Sequence, residues 1–124
     1  MKLGDTFRPD KFDNHIWVVI SDPSIDPEDV VVVNLTTHRG TEEETCVLDA
    51  GDHPSIKHKT VVRYRNAYMR ELSHFQYLID LGSIKIGQKA SKSMLKKIWN
   101  GARQSRHIPS DCLAVLEKQG LLPD

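Results

Sequence analysis

The stretch HIWVVISDPSIDPEDVVVVNLTT, His15 to Thr37, decides the fold. HIWVVIS (His15 to Ser21) and DVVVVNLTT (Asp29 to Thr37) are dense in valine and isoleucine, and both read as buried strands. Between them, DPSIDPED carries two Asp-Pro pairs, which block helix and suit a reversal of the chain. Two apolar strands joined by such a reversal lie antiparallel.

Working outward, ETCVLDA (Glu44 to Ala50) and KTVVRYR (Lys59 to Arg65) read as two further strands, and the opening GDTF adds a short one. The loop GDHPSIKHKTVV, Gly51 to Val62, joins the second pair through turn chemistry. Four or five antiparallel strands at this spacing suit a small barrel or sandwich, and a five- or six-stranded antiparallel barrel is the expectation. Trp17, Val19, Val31, Val33 and Val47 are its candidate core positions. Trp17 and Trp99 fall on core-facing positions and read as packing residues, not as platforms for stacking bases.

Past Arg65 the pattern changes. RNAYMRELSHFQYLIDLGSIKIGQKAS fits a helical turn as well as a strand, and Ser83 to Gly87 receives no assignment. SKSMLKKIWNGARQS is a helix capped by Ser91, with Met94, Leu95, Ile98, Trp99 and Ala102 on one face. A last helix, about Ser110 to Gln119, starts after Pro109 and stops at Gly120. The expected architecture is therefore mainly β with C-terminal helices: a single domain over residues 1–124, with barrel strands over about 4–87 and a helical tail over about 91–119.

Composition bounds the function. A chain of 124 residues holds a modest core. No apolar run is long enough to cross a bilayer and no basic segment leads into one, so a cytoplasmic protein without a membrane partner is expected. Cys46 and Cys112 lie far apart without C-x-x-C spacing, the pattern of reduced thiols. The net charge of zero hides an asymmetry. Residues 1–56 carry 4 Lys and Arg against 12 Asp and Glu, a balance of −8, whereas residues 57–124 carry 13 against 5, a balance of +8. Either the halves pair across the folded surface, or a basic face is set aside for phosphates.

No nucleophile elbow, Ser-His-Asp order or glycine-rich phosphate loop occurs. Cys46, His53 and His58 match no zinc spacing, and neither metal nor cofactor is expected. What remains is polar chemistry at strand ends: His15 before one strand, Thr36, Thr37, His38 and Arg39 at the end of the next, then the loop with His53 and His58. If these ends converge on one rim, two imidazoles can take a proton from a ribose 2′-hydroxyl and return one to a leaving 5′-oxygen, with a cation stabilising the phosphate. The competing reading is six histidines scattered over a surface.

HIWVVISDP followed by VVVVNLTTH resembles the two central strands of PemK/MazF-like toxins; GDTF is similar to that family's opening strand, and TVVRY with the later helix to its remaining strand and tail. The resemblance spans most of residues 4–105. It implies a small SH3-like antiparallel barrel, a homodimer, and metal-independent cleavage of single-stranded RNA, held in check by a cognate antitoxin protein. It places Thr36 at the family's catalytic threonine and His15 where the family has an arginine. The family's long first loop is cut here to RPDKFDN. The resemblance thus makes His15 and Thr36 candidate catalytic residues; the loop offers His53 or His58 as a further proton relay, and His58 is taken as the third. The convergence on one rim makes His38, Arg39, His53, Lys57 and Lys59 candidate RNA-binding residues, with the loop either supplying the cation that the histidine cannot or serving only as a turn. The alternative is a non-catalytic module of the same fold that binds RNA or a partner protein.

Overall fold

The computed structural model describes residues 1–10 and 15–124; part of the RPDKFDN loop, residues 11–14, lies outside the described residues. The strands are β1 (Thr6–Pro9), β2 (Trp17–Val19), β3 (Val30–Thr37), β4 (Val47–Leu48), β5 (Thr60–Arg70) and β6 (Ile84–Ile86). Helix α1 (Leu72–Asp80) precedes β6, while α2 (Lys92–Gln104) and α3 (Ser110–Lys118) follow it. All described pairings are antiparallel, in the order β4-β5-β3-β2-β1-β6. The structure is thus mainly β with C-terminal helices. Among the described residues the sheet does not close into the expected barrel; β4 and β6 are its two edges.

The valine run of β3 explains the layering. Val31 and Val33 face a core shared with Met94, Ile98 and Trp99 of α2 and with Leu116 of α3. Val30 and Val32 face the opposite core, against Phe75 of α1 with Phe7 and Ile84. A strand covered on both faces has no polar side to present, so its sequence runs apolar without alternation. Opposite Val33 the ladder breaks: Val32 pairs with Tyr68 but Asn34 pairs with Arg63, leaving residues 64–67 of β5 against one residue of β3. Such a bulge bends and twists a sheet.

Helix α2 begins as expected, with the Ser91 hydroxyl accepting from the Met94 N–H at 3.0 Å. Its Gly101 meets the sheet closely: a Cβ there would lie 2.4 Å from Tyr64 Oη and 2.6 Å from Cys46 Cβ. The Tyr64 hydroxyl donates to the Ile98 carbonyl at 2.6 Å and the Trp99 indole N–H to the Ile20 carbonyl at 2.9 Å. These two bonds let large polar-tipped side chains sit in the core. Helix α3 ends where Gly120 turns left-handed, φ +70°.

Several expectations are corrected. Val19, Val31 and Val33 are core, but Val47 is only half-buried on the edge strand β4. Trp17 is half-buried too, stacked on Phe7 and edge-on to Tyr68. The unassigned Ser83–Gly87 stretch contains β6, and the ambiguous segment before it contains α1. That helix has only nine residues and no side-chain cap. Its Leu72, Phe75, Leu78 and Ile79 keep helical spacing, but so short a helix is stabilised by packing more than by propensity. No helix among the described residues is long and apolar enough to cross a membrane.

The charge asymmetry folds into cross-pairs. Lys97–Asp52 at 2.7 Å, Lys118–Asp26 at 2.9 Å, Arg63–Glu42 at 3.4 Å and Lys85–Asp10 at 3.4 Å each join a base of the second half to an acid of the first.

Candidate functional site

The loop between β4 and β5 is fastened at two points before it reaches the site. Its single helical turn, Ala50–Asp52, is closed by the Asp49 N–H donating to Asp52 Oδ2 at 2.8 Å. The other oxygen of Asp52 meets Lys97 of α2. Partial burial opposes ionisation of Asp52, yet the Lys97 ammonium and the Asp49 N–H hold its carboxyl below the ordinary value. Next, His53 turns inward. It is 3% exposed, its Nδ1 accepts from the Ser55 N–H at 3.1 Å, and its Nε2 lies 2.7 Å from the Gln88 carbonyl. Because a carbonyl only accepts, these contacts fit the neutral ring with its proton on Nε2. The Ile56 N–H then donates to the His53 carbonyl at 3.0 Å, and Ile56 is buried in the α2-side core. A loop held this firmly presents the residues after it in fixed positions.

Those residues complete a cleft of about 200 Å³ at the end of the sheet. His15 and Ile16 enter it from the start of β2, Thr36 and Thr37 from the end of β3, and Ser55, Lys57 and His58 from the loop. Arg8 closes the side formed by β1. Leu35 N–H donates to the Ile16 carbonyl at 2.9 Å and His38 N–H to the Lys59 carbonyl at 3.0 Å, so main-chain bonds bring the three chain segments together. His58 Nε2 lies 2.9 Å from the Thr37 hydroxyl, and the Thr60 hydroxyl donates to the His58 carbonyl. Thr36 is 9% exposed, at the floor.

Of the residues singled out in the sequence, the structure brings His15, Thr36, Lys57 and His58 to this one cleft. His53 stands behind it as the loop's anchor. His38, Arg39 and Lys59 do not line it, and His38 is engaged with Glu44 at 2.5 Å. Arg8 escaped the sequence reading because an exposed arginine in a short first strand looks like a solvated charge. The signal that identifies it is tertiary: β1 runs beside β2, through Thr6–Val18 and Phe7–Trp17 pairs. Neither Arg8 nor Lys57 has a carboxylate within ion-pair distance among the described residues.

Among the described residues the cleft combines two imidazoles, four hydroxyls and two cations, with no carboxylate in its lining. That composition suits a phosphate: cations and hydroxyls bind its oxygens and imidazoles exchange protons with its esters. The cysteines lie elsewhere. Both are free and buried, and burial pushes the Cys46 thiol up to about 11 and the Cys112 thiol to about 12. Thiols so placed are poor nucleophiles. No group of three His, Cys, Asp or Glu able to hold a metal occurs among the described residues. Compared with models of protein families, with curated proteins and with solved structures, the chain matches none.

Proposed function

We propose that the cleft binds single-stranded RNA and cleaves it without metal. The observation that carries this reading is the convergence of His15 and His58 with Arg8 and Lys57 on one cleft that no carboxylate of the described residues lines. One imidazole takes the proton of a ribose 2′-hydroxyl as that oxygen attacks phosphorus. The P–O5′ bond breaks, and the other imidazole gives its proton to the departing 5′-oxygen. The products are a 2′,3′-cyclic phosphate and a 5′-hydroxyl. Arg8 and Lys57 offset the charge that builds on the phosphoryl oxygens, Thr36 binds one of them, and Thr37 holds the His58 ring.

Arg8 and Lys57 also supply the permanent cation that a histidine at position 15 lacks. On this reading the PemK/MazF-like relation is retained as a proposal. It is supported by the antiparallel order of β1 to β3, by α2 packed on the sheet and by Thr36 in the cleft. A homodimer, a cognate antitoxin that covers the cleft, and action in the cytoplasm belong to the same proposal.

Incubation with end-labelled single-stranded RNA in excess chelator tests it. Fragments ending in cyclic phosphate, with DNA of the same sequence left intact, are expected. RNA bound but uncut would leave a binding module; DNA cut as fast as RNA would remove the 2′-hydroxyl mechanism.

A further inference from the structure

A second groove of about 270 Å³ adjoins the cleft, sharing Arg8, Ile16 and Ser55 with it and continuing to Lys85 and Ile86 on the edge strand β6. Within it, Arg8 and Lys85 are direct partners across the β1–β6 ladder. Residues opposite one another in an antiparallel pair project from the same face, and like charges so placed are destabilising. Asp10, also in the groove, offsets Lys85 at 3.4 Å, but Arg8 has no carboxylate among the described residues. Among the described residues the pairing therefore leaves a net positive site beside the proposed scissile position.

From this juxtaposition we infer that the groove is a second phosphate subsite. It holds the phosphate of the nucleotide adjacent to the one cleaved, between Arg8 and Lys85. The inference rests on the RNA-cleaving reading of the first cleft and deepens it. The substrate is an extended single strand of at least three nucleotides, lying from the His58 loop towards β6, and Arg8 serves two successive phosphates.

Binding measured by fluorescence anisotropy tests this without turnover, using a labelled 2′-O-methyl RNA of about ten nucleotides and, as unlabelled competitor, a dinucleoside monophosphate with one phosphate. Lys85→Gln should weaken the longer strand several-fold and flatten its salt dependence between about 50 and about 200 mM, by about 0.7 in the log–log slope. Its effect on the dinucleotide should be smaller. Lys85→Arg should restore both affinity and slope, and Asp10→Asn should tighten the longer strand. Wild-type affinity and slope in Lys85→Gln would overturn the subsite while leaving the cleft reading intact. A wild-type protein that neither binds the long strand nor cuts its RNA counterpart would overturn both.

Discussion

The two ends of the loop between β4 and β5 treat the same residue types in opposite ways. At its start, Asp52 is paired with Lys97 of α2 and His53 is buried with both ring nitrogens engaged. Five residues later, His58 is exposed, its ring meets the Thr37 hydroxyl, and it stands in a cleft beside Lys57 and Arg8, which have no carboxylate partner among the described residues. Unpaired lysines occur elsewhere on the surface, as on the outer side of α2, so lack of a partner alone marks nothing. What separates Arg8 and Lys57 is that they border a concavity with two imidazoles. One end of the loop spends its chemistry on being held in place, and that leaves the other end positioned to act on something else.

The largest expected difference between the ends is in rate. His15→Ala and His58→Ala should each lower RNA cleavage by about two to four orders of magnitude, the usual contribution of a positioned acid or base. Thr36→Ala should cost less, since its hydroxyl orients the phosphate. Single-turnover rates on a labelled strand measure this, and full activity in His15→Ala would move the chemistry off β2.

Reactivity on the α2 side should be suppressed by a similar logic of burial. A thiol raised from 9.0 to about 11 has about 100-fold less thiolate at a given mildly alkaline pH. Cys46 should therefore react with a disulfide reagent only as the protein unfolds. Rapid labelling of the native protein would show that the packing around Gly101 and Tyr64 opens.

His53→Ala sharpens the comparison within the loop. Losing two partly buried hydrogen bonds should cost about 1–3 kcal/mol of stability by denaturant titration, because the Gln88 carbonyl and the Ser55 N–H lose their partner. If His53→Ala instead matched His58→Ala in lost rate while keeping wild-type stability, the division between anchor and acting residue would fail.

The smallest effect is at the Asp52–Lys97 pair. The Asp52 carboxyl is held below its ordinary 3.8, so its contribution is present above that pH and fades as pH falls through the lower folded value. Asp52→Asn should lower the melting temperature slightly at neutrality and not at all in strong acid, and added salt should shrink the difference. An equal loss at all pH values would assign Asp52 to the turn at Asp49 and not to the ion pair.

The Ser91 cap, the apolar face of α2, the stop at Gly120 and the antiparallel strands around DPSIDPED were legible in the sequence, since each follows from residues a few positions apart. His15, Thr36, Lys57 and His58 were legible as candidates for one rim, because strand ends in a small antiparallel sheet fall near one another. Which histidine of the loop turns inward was not. His53 and His58 differ only in what lies opposite them, the Gln88 carbonyl in one case and the Thr37 hydroxyl in the other, and those partners are distant along the chain. Helix α1 was illegible for a related reason: its nine residues become helical by packing Phe75 under β3, a contact that local spacing does not encode.

The sequence by itself determined the strands up to β5, the two C-terminal helices and the opposed charge of the halves, because these depend on propensity, on periodicity and on counting. Tertiary structure alone decided that the sheet of the described residues stays open in the order β4-β5-β3-β2-β1-β6 and that Lys97 and Lys118 meet acids of the other half. It also set Arg8 opposite Lys85 and inside the cleft. Strand register fixes which side chains share a face across residues far apart in the chain. An arginine therefore becomes part of a site only when the strand beside it is in place.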